Sequence, residues 1–63
     1  MNYLSSLNYG NKILKSNNII SYKLDSELLL AKALNKSRED ILTNLNFTLE
    51  QKEFYMFKRL LIR

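Results

Sequence analysis

Proline is absent from this 63-residue chain and glycine occurs once, at Gly10, so the sequence has almost none of the punctuation that hairpins and sheets require. The backbone it favours is helical, with segments joined by short polar turns. The apolar spacing agrees. From Tyr3 to Lys15, Leu4, Leu7 and Leu14 define one helical stripe, adjoined by Tyr3, Gly10 and Ile13. Asn17-Asn18 follows as a pair tolerant of left-handed backbone, a stop where glycine would be more usual. Ile19 and Ile20 are then expected to plug the bundle end.

Ser21 is the candidate N-cap of a second helix from Tyr22 to about Leu34, with Leu24, Leu28, Leu30, Ala31 and Leu34 as its broad apolar face. Asn35-Lys36 breaks it. Ser37, three residues before Asp40, is a variant capping box and opens a short third helix carrying Ile41, Leu42 and Leu45. Thr48 with Gln51 repeats the box and opens a fourth, Leu49 to about Ile62, with Leu49, Phe54, Phe57, Leu60 and Leu61 inward. No terminator follows Ile62-Arg63, so this last helix reads as cut by the chain end. The expected fold is all-α, a small bundle of about four helices forming a single domain over residues 1–63. Leu28 and Phe57 are expected in its core.

Size limits how such a bundle is held together. A domain this short buries only about 60% of the surface its unfolded chain exposes, and with no Cys and no His it has neither disulfides nor the usual soft metal ligands. A hydrophobic fraction of 46% against 25% charged residues is enough for a globular core. No segment approaches the roughly 20 apolar residues that span a bilayer, and no secretory signal opens the chain, which predicts a cytoplasmic protein without a membrane contact. The net charge of +4 mildly favours acidic partners.

Lack of His and Cys also removes the common general base and the common thiol nucleophile. The six acids are Asp25, Glu27, Glu39, Asp40, Glu50 and Glu53, most of them in or near first helical turns, where a carboxylate complements the helix dipole. No glycine-rich phosphate loop is present. The chain therefore offers no catalytic, cofactor-binding or metal-ligating set of its own. Glu27 is the exception to the dipole reading, since its phase matches Leu24, Leu30, Ala31 and Leu34. A carboxylate there needs a cation or backbone donors; Arg38, Arg59 and Arg63 are the candidates for a structural ion pair. On the fourth helix Lys52, Met56, Arg59 and Arg63 form one stripe beside the apolar face, basic with an adaptable Met within it. A solvated face is the first reading of this stripe, a protein or domain contact the second. Nucleic acid comes last, because no recognition-helix signature or aromatic stacking set accompanies it.

The run from Asn18 through Ser21, Asp25, Glu27, Leu29, Leu30 and Ala31, continued by Leu34, Arg38 and Leu42, resembles the N-terminal helical domain of the bacterial release-factor glutamine methyltransferases, the PrmC or HemK family. That family's pattern reads roughly G-I-x-S-P-x-x-D-A-E-x-L-L-A, then L-x-x-x-R-x-x-L, then a helix ending F-x-x-L-x-x-R-R. Asp25, Glu27, Leu29, Leu30, Ala31, Leu34 and Arg38 match by residue, and Phe57, Leu60 and Arg63 suit the last part. Asn18 replaces the family's Gly, Tyr22 its Pro and Ser26 its Ala. The resemblance implies a parent protein that uses S-adenosylmethionine to methylate the glutamine of the Gly-Gly-Gln motif of peptide-chain release factors, with its methyltransferase domain downstream. It further implies that these residues help to bind and orient the release factor. Two rivals remain open at the level of sequence: a free-standing helical protein-binding adaptor, and a small basic nucleic-acid-binding domain.

Overall fold

The structure, a computed structural model, describes residues 1–62. Four helices follow one another, α1 (Tyr3–Ser16), α2 (Tyr22–Leu34), α3 (Arg38–Leu42) and α4 (Gln51–Leu61), and among the described residues there is no strand, only an isolated antiparallel bridge between Asn2 and Thr48. Helices α1, α2 and α4 pack on one another and α3 leans on α2. The radius of gyration is 10.4 Å, against about 10.6 Å expected of a close-packed chain of this length. The helices therefore share one core rather than lying side by side in solvent.

Each helix starts and stops for a local reason. Asn2 caps α1 by accepting the Ser5 N–H on its Oδ1 at 2.8 Å. At the other end Asn18 takes φ 64°, with its N–H donating to Lys15 O and the Ile19 N–H to Leu14 O, both at 3.1 Å. Asn35, φ 56°, ends α2 in the same way, its N–H donating to Lys32 O and that of Lys36 to Ala31 O. Both stops are Schellman motifs built on asparagine, which bears the left-handed backbone better than other residues with a side chain. Ser37 accepts the Asp40 N–H at 3.1 Å and so opens α3.

The expected opening of α4 is displaced. Thr48 bridges Asn2, the Leu49 N–H donates to Met1 O at 2.9 Å, and the cap moves on to Glu50, whose N–H donates to the Glu53 carboxylate at 2.8 Å. Thr48 is engaged by the chain's own beginning, and so the box is Glu50 with Glu53, not Thr48 with Gln51. The same segment completes α1, since the Tyr3 and Leu4 N–H groups, which no helical turn can satisfy, donate to Phe47 O and Leu45 O. Ser21 occupies the N-cap position of α2 without capping it; its hydroxyl donates to Asp25 Oδ2 at 3.1 Å.

The core comprises Tyr3, Leu7 and Leu14 of α1, Leu30, Ala31 and Leu34 of α2, Ile41 of α3, Leu49, and Phe57 and Leu61 of α4. Phe57 lies at its centre with no exposed surface. Its ring reaches Gly10, where an added Cβ would stand 2.8 Å from both Phe57 Cζ and Ser26 Oγ. The only glycine of the chain is thus a notch that lets α1 close onto α2 and α4. Ser26, at the same contact, is fully buried, where a larger residue would hold the helices apart, and so is Ser6, one turn before Gly10 on α1.

The buried faces depart from expectation in two helices. On α1 the inward stripe is Tyr3, Leu7, Gly10 and Leu14, so Leu4 stands largely exposed, one position out of phase. On α2 the inward side is centred on Ser26, Leu30 and Leu34; Leu24 is exposed, and Leu28, expected in the core, is 50% exposed. Ile20 is 97% exposed and does not plug the bundle end, and Leu42 of α3 also faces outward. The reason is that apolar side chains stand at nearly every angle round α2, interleaved with Lys23, Asp25, Glu27 and Lys32, so its own sequence singles out no one arc. The small residue at 26 is what fits against Gly10.

These contacts set an order of sensitivity to mutation. Phe57→Ala is expected to cost about 3 to 5 kcal/mol and Leu28→Ala less than about 1 kcal/mol, because only the first opens a cavity. Urea unfolding followed by circular dichroism measures both. Gly10→Ala gains about 1 kcal/mol of helix propensity but is expected to lower stability overall, because the Phe57 ring it meets has no room to retreat. The Ser26 hydroxyl is buried without a hydrogen-bond partner. Ser26→Ala, which removes an unsatisfied polar group, is therefore expected to leave the midpoint unchanged or raise it.

Candidate functional site

Two polar features remain once the core is assigned. The first is the pair on which the phase of Glu27 depends. Arg38 Nε donates to Glu27 Oε1 at 2.6 Å, across the turn that separates α2 from α3. The Glu27 side chain is 19% exposed and that of Arg38 42%. This sits at the rim, so solvent screens it. Arg59 takes no part, and Arg63 lies outside the described residues. The pair fastens α3 to α2 and so fixes the position of Ile41, which has no exposed surface. Near the opposite end of the α2–α3 turn, Lys36 Nζ donates to the Tyr3 hydroxyl at 3.1 Å. That bond, above all, holds the Lys36 ammonium's pKa above its ordinary value.

The second feature is the outward side of α4. Phe57 and Leu61 commit one face of this helix to the core, with Phe54 and Leu60 partly buried beside them. The opposite face then carries Lys52, Tyr55, Arg59 and Ile62, spaced three and four residues apart so that their side chains are neighbours. Met56 borders this face on one side and Lys58 on the other. All six are exposed. Between them runs a shallow, open groove of about 610 Å3, lined by Glu50, Gln51, Lys52, Tyr55, Met56 and Arg59.

Charge on this face is unbalanced. Lys52 Nζ lies 3.7 Å from Glu50 Oε1, but both side chains are highly exposed, so this is a loose surface pair. Neither Lys58 nor Arg59 has an acidic partner within salt-bridge distance among the described residues. Lys58 instead lies over the rings of Phe54 and Tyr55, 5.7 and 6.0 Å from their centroids. The result is an exposed aromatic ring, a thioether and an aliphatic side chain set among three cations.

Of the stripe read from the sequence, Lys52, Met56 and Arg59 do lie together on α4. Tyr55, Lys58 and Ile62 escaped that reading, although the signal was available: Tyr55 stands three residues after Lys52 and four before Arg59, inside the stripe. Among the described residues no three His, Cys, Asp or Glu side chains gather closely enough to hold a metal ion, and no helix is long and apolar enough to cross a membrane.

Fold and surface together define a class: a small all-helical domain, with its core filled by its own side chains and one amphiphilic, basic face left outward. Its family is specific. Residues 5–63 match the PrmC N-terminal domain, and the chain belongs to that family. No curated protein and no solved structure matches the chain.

The ion pair yields a graded expectation. Between about 0 to 1 kcal/mol for an exposed pair and about 3 to 5 kcal/mol for one partner stripped from a buried pair, the rim position of Glu27 and Arg38 places Glu27→Ala at about 1 to 2 kcal/mol. Glu27→Gln keeps an acceptor for Arg38 and is expected to lose less. A double-mutant cycle with Arg38→Ala, read by urea unfolding, measures the coupling; equal losses for Ala and Gln would remove the pair from the account.

Proposed function

We propose that this domain helps to bind and orient a peptide-chain release factor through the outward face of α4. The target is the glutamine of the Gly-Gly-Gln motif, methylated by the S-adenosylmethionine-dependent domain of a protein-(glutamine-N5) methyltransferase. The observation that carries the reading is that face itself. Tyr55, Met56 and Ile62 are left exposed among Lys52, Lys58 and Arg59, though the core does not require it. Exposed aromatic and Met side chains next to arginine are the composition of protein-binding surfaces. A protein partner with acidic side chains around an apolar centre would complement it, and membership of the PrmC N-terminal domain family makes a release factor the partner of choice.

In this proposal the domain contributes binding energy and orientation, not chemistry. Holding the substrate's body leaves the reactive loop to be presented to the catalytic domain, and positioning of this kind lowers the barrier by removing rotational and translational freedom beforehand. In this proposal the cofactor belongs to the catalytic domain, and two features of this chain support that assignment. The only glycine here, where backbone could approach a nucleotide-like ligand closely, has its space filled by Phe57 and Ser26, and the α4 groove is open to solvent rather than enclosing.

Two outcomes are expected. In a methyltransferase that carries this domain, the double variant Lys52→Glu, Arg59→Glu raises the KM for release factor on the order of tenfold and leaves kcat within about twofold, as expected when binding common to ground and transition states is lost. An unchanged KM would overturn the proposal. This chain by itself, mixed with S-adenosylmethionine and release factor, is expected to transfer no methyl group above a control without protein, measured by incorporation of labelled methyl.

A further inference from the structure

A second surface lies on α2, away from α4, and is independent of the function proposed above. Ile20 just before the helix, and Leu24 and Leu28 within it, are spaced four residues apart and all three are exposed. Leu24 and Leu28, four residues apart on the helix, are neighbours on its surface, and Ile20 precedes them in the turn. Beside Leu28 a groove of about 260 Å3 is lined by Leu14, Ile19, Asp25, Leu28 and Leu29, so the apolar surface continues from the stripe into a hollow. Leaving this much aliphatic surface in water runs against the hydrophobic effect.

The charges around the stripe select its occupant. Asp25, half-buried at the edge of the hollow and accepting the Ser21 hydroxyl, precedes Leu28 by three residues, and the exposed Lys32 follows it by four. Neither takes part in an ion pair among the described residues. The face thus carries an acid at one end, a leucine in the middle and a base at the other, seven residues or about 10 Å apart along the axis. Such a surface complements itself. We propose that α2 pairs antiparallel with α2 of a second copy of this chain, about a two-fold axis passing near Leu28.

In that arrangement the two Leu28 side chains meet at the axis, one against the other's hollow. The aliphatic stem of Lys32 covers Leu24 of the other copy, and its ammonium meets Asp25 of that copy. Symmetry makes the contact twice, as an isologous interface requires. The covered face is small beside the ~800 Å2 per partner of a standard interface, so the association is weak and concentration dependent.

Sedimentation equilibrium tests it on the chain as it stands. The weight-average mass is expected to climb toward twice the monomer mass between about 10 μM and about 1 mM. Leu28→Lys, at an exposed position, is expected to keep the helical circular dichroism and abolish the climb. Asp25→Lys alone and Lys32→Asp alone each set like charges together and are expected to weaken association on the order of tenfold. In an equimolar mixture of these two variants, the base introduced in one copy faces the acid introduced in the other, and the unaltered Lys32 of the first faces the unaltered Asp25 of the second. Opposite charges then meet at both ends of the contact, so the mixture is expected to associate as the parent does. A constant monomer mass up to about 1 mM, association unaffected by Leu28→Lys, or a mixture no stronger than its components would each overturn the proposal.

Discussion

The bundle closes around the contact between Phe57 and Gly10. The ring of Phe57 projects from α4 into the space that a Cβ at Gly10 would occupy, with Ser26 of α2 at the same point. Three helices therefore meet where two of them present almost no side chain and the third presents a large one. Close packing of this kind leaves little freedom to rotate any helix about its axis. Once Phe57 is inward, the opposite face of α4 must be outward, and once Ser26 faces Gly10, Leu24 and Leu28 must turn to solvent. The exposed surfaces follow from the interior.

The rest of the fold secures that contact with local devices. Asparagines at 18 and 35 turn the chain after α1 and α2, and the opening residues Met1 to Leu4 bind the loop before α4 through backbone hydrogen bonds. The Glu27–Arg38 pair and the Lys36–Tyr3 bond fasten the turn around α3. The two side-chain contacts are only partly buried, so neither is strong alone. In a domain with so small a core, several such fixings matter because the net stability they modify is itself only a few kcal/mol.

The outward faces divide the molecule's surface into two chemistries. The α4 face mixes aromatic, thioether and cationic groups. The α2 face is aliphatic with one acid and one base beside it.

Local preference was enough to place four helices and to set the ends of the first two. Without proline, and with asparagine at each early break, local preferences alone place α1 and α2 within a residue or so of their observed limits. The strong division of α4 into apolar and polar sides revealed both its core residues and the basic stripe of Lys52, Met56 and Arg59. The Glu27–Arg38 partnership was legible as a need of Glu27, with Arg38 as one of three candidates. Tertiary structure decided the remainder. The face that α2 buries could not be read from a helix whose apolar and polar residues are interleaved all round, because it depends on the shape of α1 at Gly10. The cap of α4 moved from Thr48 to Glu50 because residues distant in sequence took Thr48 into a bridge. Local propensity specifies where backbone turns; only packing against particular neighbours specifies which side chains are left facing water.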